Sequence, residues 1–213
     1  MPIIPTIGNS GWAMHSLVYL ASQSPRRRQL LDQLGIACEL LLPEADEDAE
    51  ALERVLPRES PLRYVQRVTQ LKLDAALLRQ KRRGLPDAPV LCADTTVALG
   101  RTIFGKPFDQ QDATRMLQDL SGNTHTVLTG VVVGTDWQRL AVVSRSRVSL
   151  AQMSAAQIEN YVASGEPMGK AGAYAVQGRA AAYISKISGS YSGIVGLPLF
   201  ETAQLLRSFG FNV

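Results

Sequence analysis

Cysteine and histidine are scarce in this 213-residue sequence. There are two of each: Cys38, Cys92, His15 and His125. They fall in no metal-ligand spacing, which excludes a disulfide scaffold and a zinc-type Cys/His cluster. Both cysteines sit in apolar runs and read as buried free thiols. Such usage fits a reducing compartment and predicts the cytoplasm. No apolar run approaches the roughly 20 residues that span a bilayer, so no membrane partner is expected. The first residues lack a basic stretch followed by an apolar one and do not read as a signal peptide. Residues 1–16 read as a flexible lead-in, with Met14 as an alternative start, ahead of one domain over residues 17–213. The net charge is only +3, which gives no reason to expect a nucleic-acid partner. No Gly-x-Gly-x-x-Gly follows the first apolar run, which argues against a dinucleotide fold.

What is present is an ordinary globular composition, 46% hydrophobic and 19% charged. Residues 17–22 form a run of strand length. Ser24, Pro25 and Gly35 then supply cap, first-turn proline and stop for a helix with Leu30, Leu31 and Leu34 inward. A second strand is expected over residues 36–42. Ser60-Pro61 opens a helix reaching about Arg83, with Leu62, Val65, Val68, Leu71, Ala75 and Leu78 as its apolar stripe. A strand over residues 89–93 ends at Asp94-Thr95-Thr96, and a hairpin turns at Gly100-Arg101. A helix opens at Asp109. Residues 126–133 and 140–150 read as antiparallel strands. Ser154 to Gln157 is a capping box, residues 180–187 a further strand, and Pro198 starts a last helix. Alternating strands and helices followed by antiparallel pairs predict an α/β fold, with a mixed, partly antiparallel sheet flanked by helices.

Several residues could carry chemistry. Ser22 to Arg27 forms a strand-to-helix turn, where free N–H groups and the helix dipole favour anions. Arg26 and Arg27 in a first turn oppose that dipole unless an anion sits between them. An exposed basic helix face reads the same residues equally well. Asp94, at a strand end, can hold Mg²⁺ or take a proton from water; a turn-forming aspartate is the bland alternative. The acidic stretch from Glu44 to Glu53 includes Asp46, Glu47 and Asp48 and could add a metal carboxylate. Lys72 and Lys106 could neutralise phosphate or simply face solvent. Gly165 to Ala171 imitates a phosphate-binding loop, but it is one residue short, and Ala171 stands where a Mg²⁺-binding hydroxyl belongs.

In their order, these segments resemble the Maf family of nucleoside triphosphate pyrophosphatases. The matching residues are Leu20-Ala21-Ser22-Gln23-Ser24-Pro25-Arg26-Arg27, Ala93-Asp94-Thr95, Gly105-Lys106-Pro107, Leu120-Ser121-Gly122 with His125 and Thr129-Gly130-Val131, Gly169 to Tyr174 with Gln177-Gly178, and Gly189-Ser190-Tyr191 with Val195-Gly196-Leu197-Pro198. Gly193 and the lead-in depart from the pattern. The resemblance implies the Maf (ITPase-like) fold and hydrolysis of a nucleoside triphosphate to the monophosphate and pyrophosphate. It also implies a divalent cation, Mg²⁺ or Mn²⁺, and commonly a homodimer. It places the proton acceptor and metal ligand on Asp94, a second metal carboxylate on Glu47 (with Asp46 and Asp48 as alternatives), and phosphate contacts on Ser22, Arg27, Lys72 and Lys106. Residues tied to substrate choice fall on Arg26, Thr95 and Gln177. This set looks like the subgroup acting on dTTP and UTP rather than the one acting on 7-methyl-GTP. A nucleotide-binding regulator of cell division is the competing reading.

Overall fold

The structure, a computed structural model, describes residues 17–44, 47–48 and 51–213. The lead-in with Met14, and Asp46 in the acidic loop, lie outside the described residues. Among the described residues seven strands form one sheet: β1 (Val18–Leu20), β2 (Cys38–Leu40), β3 (Val90–Leu99), β4 (Thr102–Phe104), β5 (Thr124–Gly134), β6 (Arg139–Leu150) and β7 (Ile184–Ser188). Their order is β2-β1-β3-β5-β6-β7, with β4 on the far end of β3. β1 pairs parallel with both β2 and β3, whereas the β3-β5-β6-β7 pairs are antiparallel. The expected mixed sheet is the one found.

Six helices among the described residues flank it: α1 (Pro25–Asp32), α2 (Pro61–Arg82), α3 (Gln110–Leu120), α4 (Ala155–Ala163), α5 (Tyr191–Val195) and α6 (Leu199–Arg207). Ser60 caps α2 by accepting the Arg63 N–H, and Ser154 and Gln157 close the expected capping box on α4. Ser24 stands at the N-cap of α1 but makes no side-chain capping bond. The alternation of β3 and β5 divides the core. Leu91, Ala93, Val131 and Val133 face α1 and α6, while Cys92 and Val132 face α2. A third cluster joins the other ends of β3 and β5, through Val97 and Val127, to α3 and α4.

Four sequence expectations are adjusted. α2 buries Val65, Val68, Thr69, Leu73, Ala76 and Leu77, and Leu62 and Leu78 are exposed. Its buried face is thus rotated from the stripe read in the sequence, because β5 admits it at two glycines. A Cβ on Gly130 would meet Thr69 Oγ1 at 2.5 Å, and one on Gly134 would meet Leu73 Cδ2 at 2.6 Å. Residues 179–183 form a 3₁₀ turn before β7 begins. The short helix α5 has no sequence counterpart: five residues are too few to show periodicity. Cys92 is buried, whereas Cys38, on the edge strand β2, is half-buried; both thiols are free.

Candidate active site

Asp94 and Thr95 are neighbours on β3, opposite Gly130 and Thr129 of β5. Strand alternation sends their side chains to different partners. Asp94 meets α2, where its Oδ1 accepts from Lys72 Nζ at 2.6 Å and its Oδ2 accepts from the Thr96 hydroxyl at 3.3 Å. Thr95 meets α1. Arg27 donates from Nη2 to Thr95 Oγ1 at 3.4 Å, from Nη1 to Ser22 Oγ at 3.0 Å and from Nε to the Gly196 carbonyl at 2.9 Å. Thr129 donates onward to the Gly193 carbonyl at 2.7 Å and lies 3.1 Å from Thr95 Oγ1. The hydroxyls of Thr95 and Thr129 thus relay Arg27 to α5. That short helix fixes the guanidinium in place. Ser22 Oγ also accepts the Ser24 N–H at 3.2 Å.

Lys72 holds two carboxylates at once. Its Nζ donates to Glu53 Oε1 at 2.8 Å as well as to Asp94. Glu53 Oε2 in turn accepts from Lys106 Nζ at 3.2 Å. Glu53 rides on a 3₁₀ turn over Ala51–Glu53. The turn is anchored by Asp48, which accepts the Ala51 N–H, and by the Tyr64 hydroxyl, which donates to the Glu53 carbonyl at 2.9 Å. Burial disfavours the Lys72 ammonium, but Asp94 and Glu53 outweigh it and raise its pKa above the ordinary lysine value. Burial likewise raises the Glu53 carboxyl, and Lys72 and Lys106 outweigh it to hold Glu53 below the usual range. Burial lowers the Arg27 pKa, opposed by Asp94.

Two adjoining cavities of about 150 and 540 Å³ share Arg27, Glu53, Lys72 and Lys106 as a common wall. The smaller also takes in Arg26, Asp94, Thr95, Tyr174 and Gln177. The larger takes in Ser22, Glu47 and Arg79. The structure therefore brings Ser22, Arg26, Arg27, Lys72, Asp94, Thr95, Lys106 and Gln177 around one cleft.

Glu47 lines the larger cavity but is not bonded to Lys72. It faces α2 two turns from Lys72, where Arg79 donates to it at 2.9 and 2.5 Å and Arg82 at 2.8 Å. The carboxylate that shares Lys72 with Asp94 is Glu53. The acidic loop has no periodicity from which to read its register. The only sequence signal is that Glu53 closes the acidic stretch. Asp48 accepts the Ala51 N–H of the turn that carries Glu53.

Among the described residues no cluster of three or more His, Cys, Asp or Glu side chains could hold a metal alone. Asp94 and Glu53 do, however, converge on one cationic centre, the Lys72 ammonium. A hard divalent cation that keeps waters and takes phosphate oxygens requires only one or two carboxylates. The donor set fits such an ion carried in with a triphosphate.

The base-side segment is held differently. His125, expected as a structural residue, is buried on β5 with Nε2 at 2.8 Å from the Tyr174 hydroxyl. Among the described residues its Nδ1 has no hydrogen-bond partner, and burial lowers its pKa to about 4. The basic cluster ending α2 is tied locally: Arg79 and Arg82 to Glu47, Arg83 to Glu44 and Lys81 to Asp136. Among the described residues no helix is long and apolar enough to cross a membrane.

Known proteins are similar to this chain over nearly its whole length. A dTTP/UTP pyrophosphatase of Albidiferax ferrireducens is 71% identical over 94% of this chain and 100% of its own length. One of Polaromonas is 66% identical over 92% of this chain and 97% of its own, and one of Cupriavidus metallidurans 62% over 93% and 100%. Residues 17–209 match the Maf-like protein family. The order of motifs from Ser22 to Pro198, the cleft they line and these matches agree: the chain belongs to the Maf-like protein family.

Proposed function

We propose that this protein hydrolyses dTTP and UTP to the monophosphate and pyrophosphate. The single observation that carries the reading is the Lys72 ammonium held between Asp94 and Glu53, beside Arg27 and Lys106, in a cleft that also holds Gln177. The relatives' printed activity supports it.

Arg27, Lys72 and Lys106 bind the phosphates and offset charge developing on the departing pyrophosphate, as fixed cations do in phosphoryl transfer. Ser22 holds the Arg27 guanidinium in line. Asp94 accepts the proton of the attacking water and directs it at the α-phosphorus. Asp94 and Glu53 would hold Mg²⁺ or Mn²⁺, which would supply Lewis-acid neutralisation of the triphosphate when bound. Gln177 offers a donor and an acceptor to the edge of uracil or thymine, and Arg26 and Thr95 shape the same end of the cleft. A site that hydrogen-bonds one base discriminates against others that leave those groups unpaired.

Pyrophosphate release from a panel of nucleoside triphosphates, with Mg²⁺ or Mn²⁺ and with chelator, tests the reading. Fastest release from dTTP and UTP, lost with chelator, is expected. Release from purine nucleotides alone overturns the substrate assignment, and no release at all favours a binding role. Family resemblance supports a homodimer, which light scattering checks. The free thiols support a cytoplasmic location.

A further inference from the structure

The segment Gly165 to Ala171 failed as a phosphate loop, and the triphosphate chemistry does not use it. Its acidic residue nevertheless has an organised environment. Tyr161, buried on α4, donates its hydroxyl to Glu166 Oε1 at 2.8 Å. The same hydroxyl oxygen accepts the Ala175 backbone N–H at 3.3 Å. Glu166 Oε2 accepts the Arg179 backbone N–H at 3.0 Å. Ala175 and Arg179 stand two residues before and two residues after Gln177.

The backbone between them leaves no slack. A Cβ on Gly178 would lie 2.3 Å from Glu166 Oε1. Upstream, Ala173 has φ 58°, a left-handed conformation an alanine rarely adopts, and it persists only where surroundings impose it. Gly172 donates its N–H to the Gly105 carbonyl at 3.0 Å. Among the described residues the Gln177 carboxamide itself makes no hydrogen bond. Its backbone is fixed and its reading group is free, which is what recognition by hydrogen bonds requires. Drawing a tyrosine hydroxyl and a carboxylate out of water is costly. Apart from the bond they make to each other, the backbone amides they satisfy at Ala175 and Arg179 belong to this one segment.

We propose that Tyr161 and Glu166 are positioning residues for base selection, clamping the backbone on both sides of Gln177 so that its carboxamide meets a pyrimidine edge. This rests on the reading that Gln177 contacts the base. Neither residue lines the cleft, so neither is catalytic.

The test uses the full chain, its fold checked by circular dichroism. Tyr161→Phe keeps the ring and removes the hydroxyl. Its KM for UTP rises about tenfold, the scale of one lost hydrogen bond, with kcat within about twofold and the inhibition constant of GTP unchanged. Glu166→Gln keeps one acceptor and loses the other, and raises the KM for UTP about threefold; it carries the same arms should Tyr161→Phe not fold. In a Gln177→Ala background, Tyr161→Phe adds no further loss. An equal loss for UTP and GTP, a fall in kcat at unchanged KM, or a full loss persisting in the Gln177→Ala background overturns the proposal. A Gln177→Ala effect with no effect of Tyr161→Phe or Glu166→Gln removes the proposal alone. Gln177→Ala without effect removes the base reading too.

Discussion

Ion pairs organise one end of the cleft, and hydrogen bonds to backbone and ring organise the other. At the phosphate end, Lys72 is wedged between Asp94 and Glu53, and Lys106 closes on Glu53. The loop that carries Glu53 lies antiparallel along α2, tied by Glu44 to Arg83, Glu47 to Arg79, Glu53 to Lys72 and Glu59 to Arg67. At the base end, Tyr161, Glu166, His125 and Tyr174 hold backbone and ring in place, with one anion among them. The contrast matches the ligand. A triphosphate is recognised by charge, which tolerates small displacements, whereas a base edge is recognised by directional bonds that do not.

The largest break in this comparison comes from removing the reacting carboxylate. Asp94→Asn keeps the shape and leaves Lys72 its Glu53 partner, so the protein stays folded. Turnover of dTTP falls by about 10³-fold or more, since a proton acceptor and a metal ligand are lost together. Near-normal pyrophosphate release by this variant refutes the assigned role.

Next comes the choice between two glutamates on one loop. Glu53→Gln lowers kcat by roughly 10²-fold, the scale of losing one oriented charge in an active site. Glu47→Gln, which loosens the Arg79 tie, lowers thermal stability and changes kcat by no more than about threefold. Reversed effects in steady-state kinetics and melting curves would restore Glu47 to the metal.

A smaller effect belongs to the base end. Gln177→Ala raises the KM for UTP and dTTP about tenfold and changes kcat little, as expected for a lost uniform binding contact. Unchanged discrimination across a nucleotide panel removes Gln177 from the base pocket.

The smallest effect separates the two ends by pH. His125 is lowered to about 4 from an ordinary 6.5, so the unfolded chain takes up a proton that the native state declines. Its contribution to stability is full above pH 6.5 and declines as pH falls towards 4. Glu47 is lowered to about 2 from 4.5, mainly by its hydrogen bonds to Arg79. Its contribution is present above pH 4.5 and is lost as pH falls towards 2. Melting temperature against pH therefore flattens between pH 6.5 and 4 in His125→Asn, and between 4.5 and 2 in Glu47→Gln. Identical profiles for both variants would show that His125 and Glu47 do not titrate separately.

Regular elements were legible because their signals are local. Ser60-Pro61, the Ser154–Gln157 box and the apolar runs at β3 and β5 appear where local pattern predicts them. Most of the cleft residues were legible by motif: Asp94 follows an apolar run, although β3 continues through it to Leu99 instead of ending there, and Arg26 and Arg27 contradict the helix dipole unless an anion is near. The face of α2 was not legible, because it depends on where β5 lacks side chains, at Gly130 and Gly134. Nor was the acidic loop, whose several carboxylates are interchangeable until α2 presents Lys72 to one and Arg79 to another.

The sequence by itself determined the family, the order of strands and helices, and the kinds of group available for phosphate and base. Only the tertiary structure decided that Glu53 rather than Glu47 shares Lys72 with Asp94, and that Tyr161 and Glu166 flank Gln177. The reason is physical. Local propensity and periodicity act over a few residues, whereas these pairings join positions tens of residues apart, such as Lys72 with Asp94 and Arg79 with Glu47. Which charge meets which follows from helix-on-sheet packing.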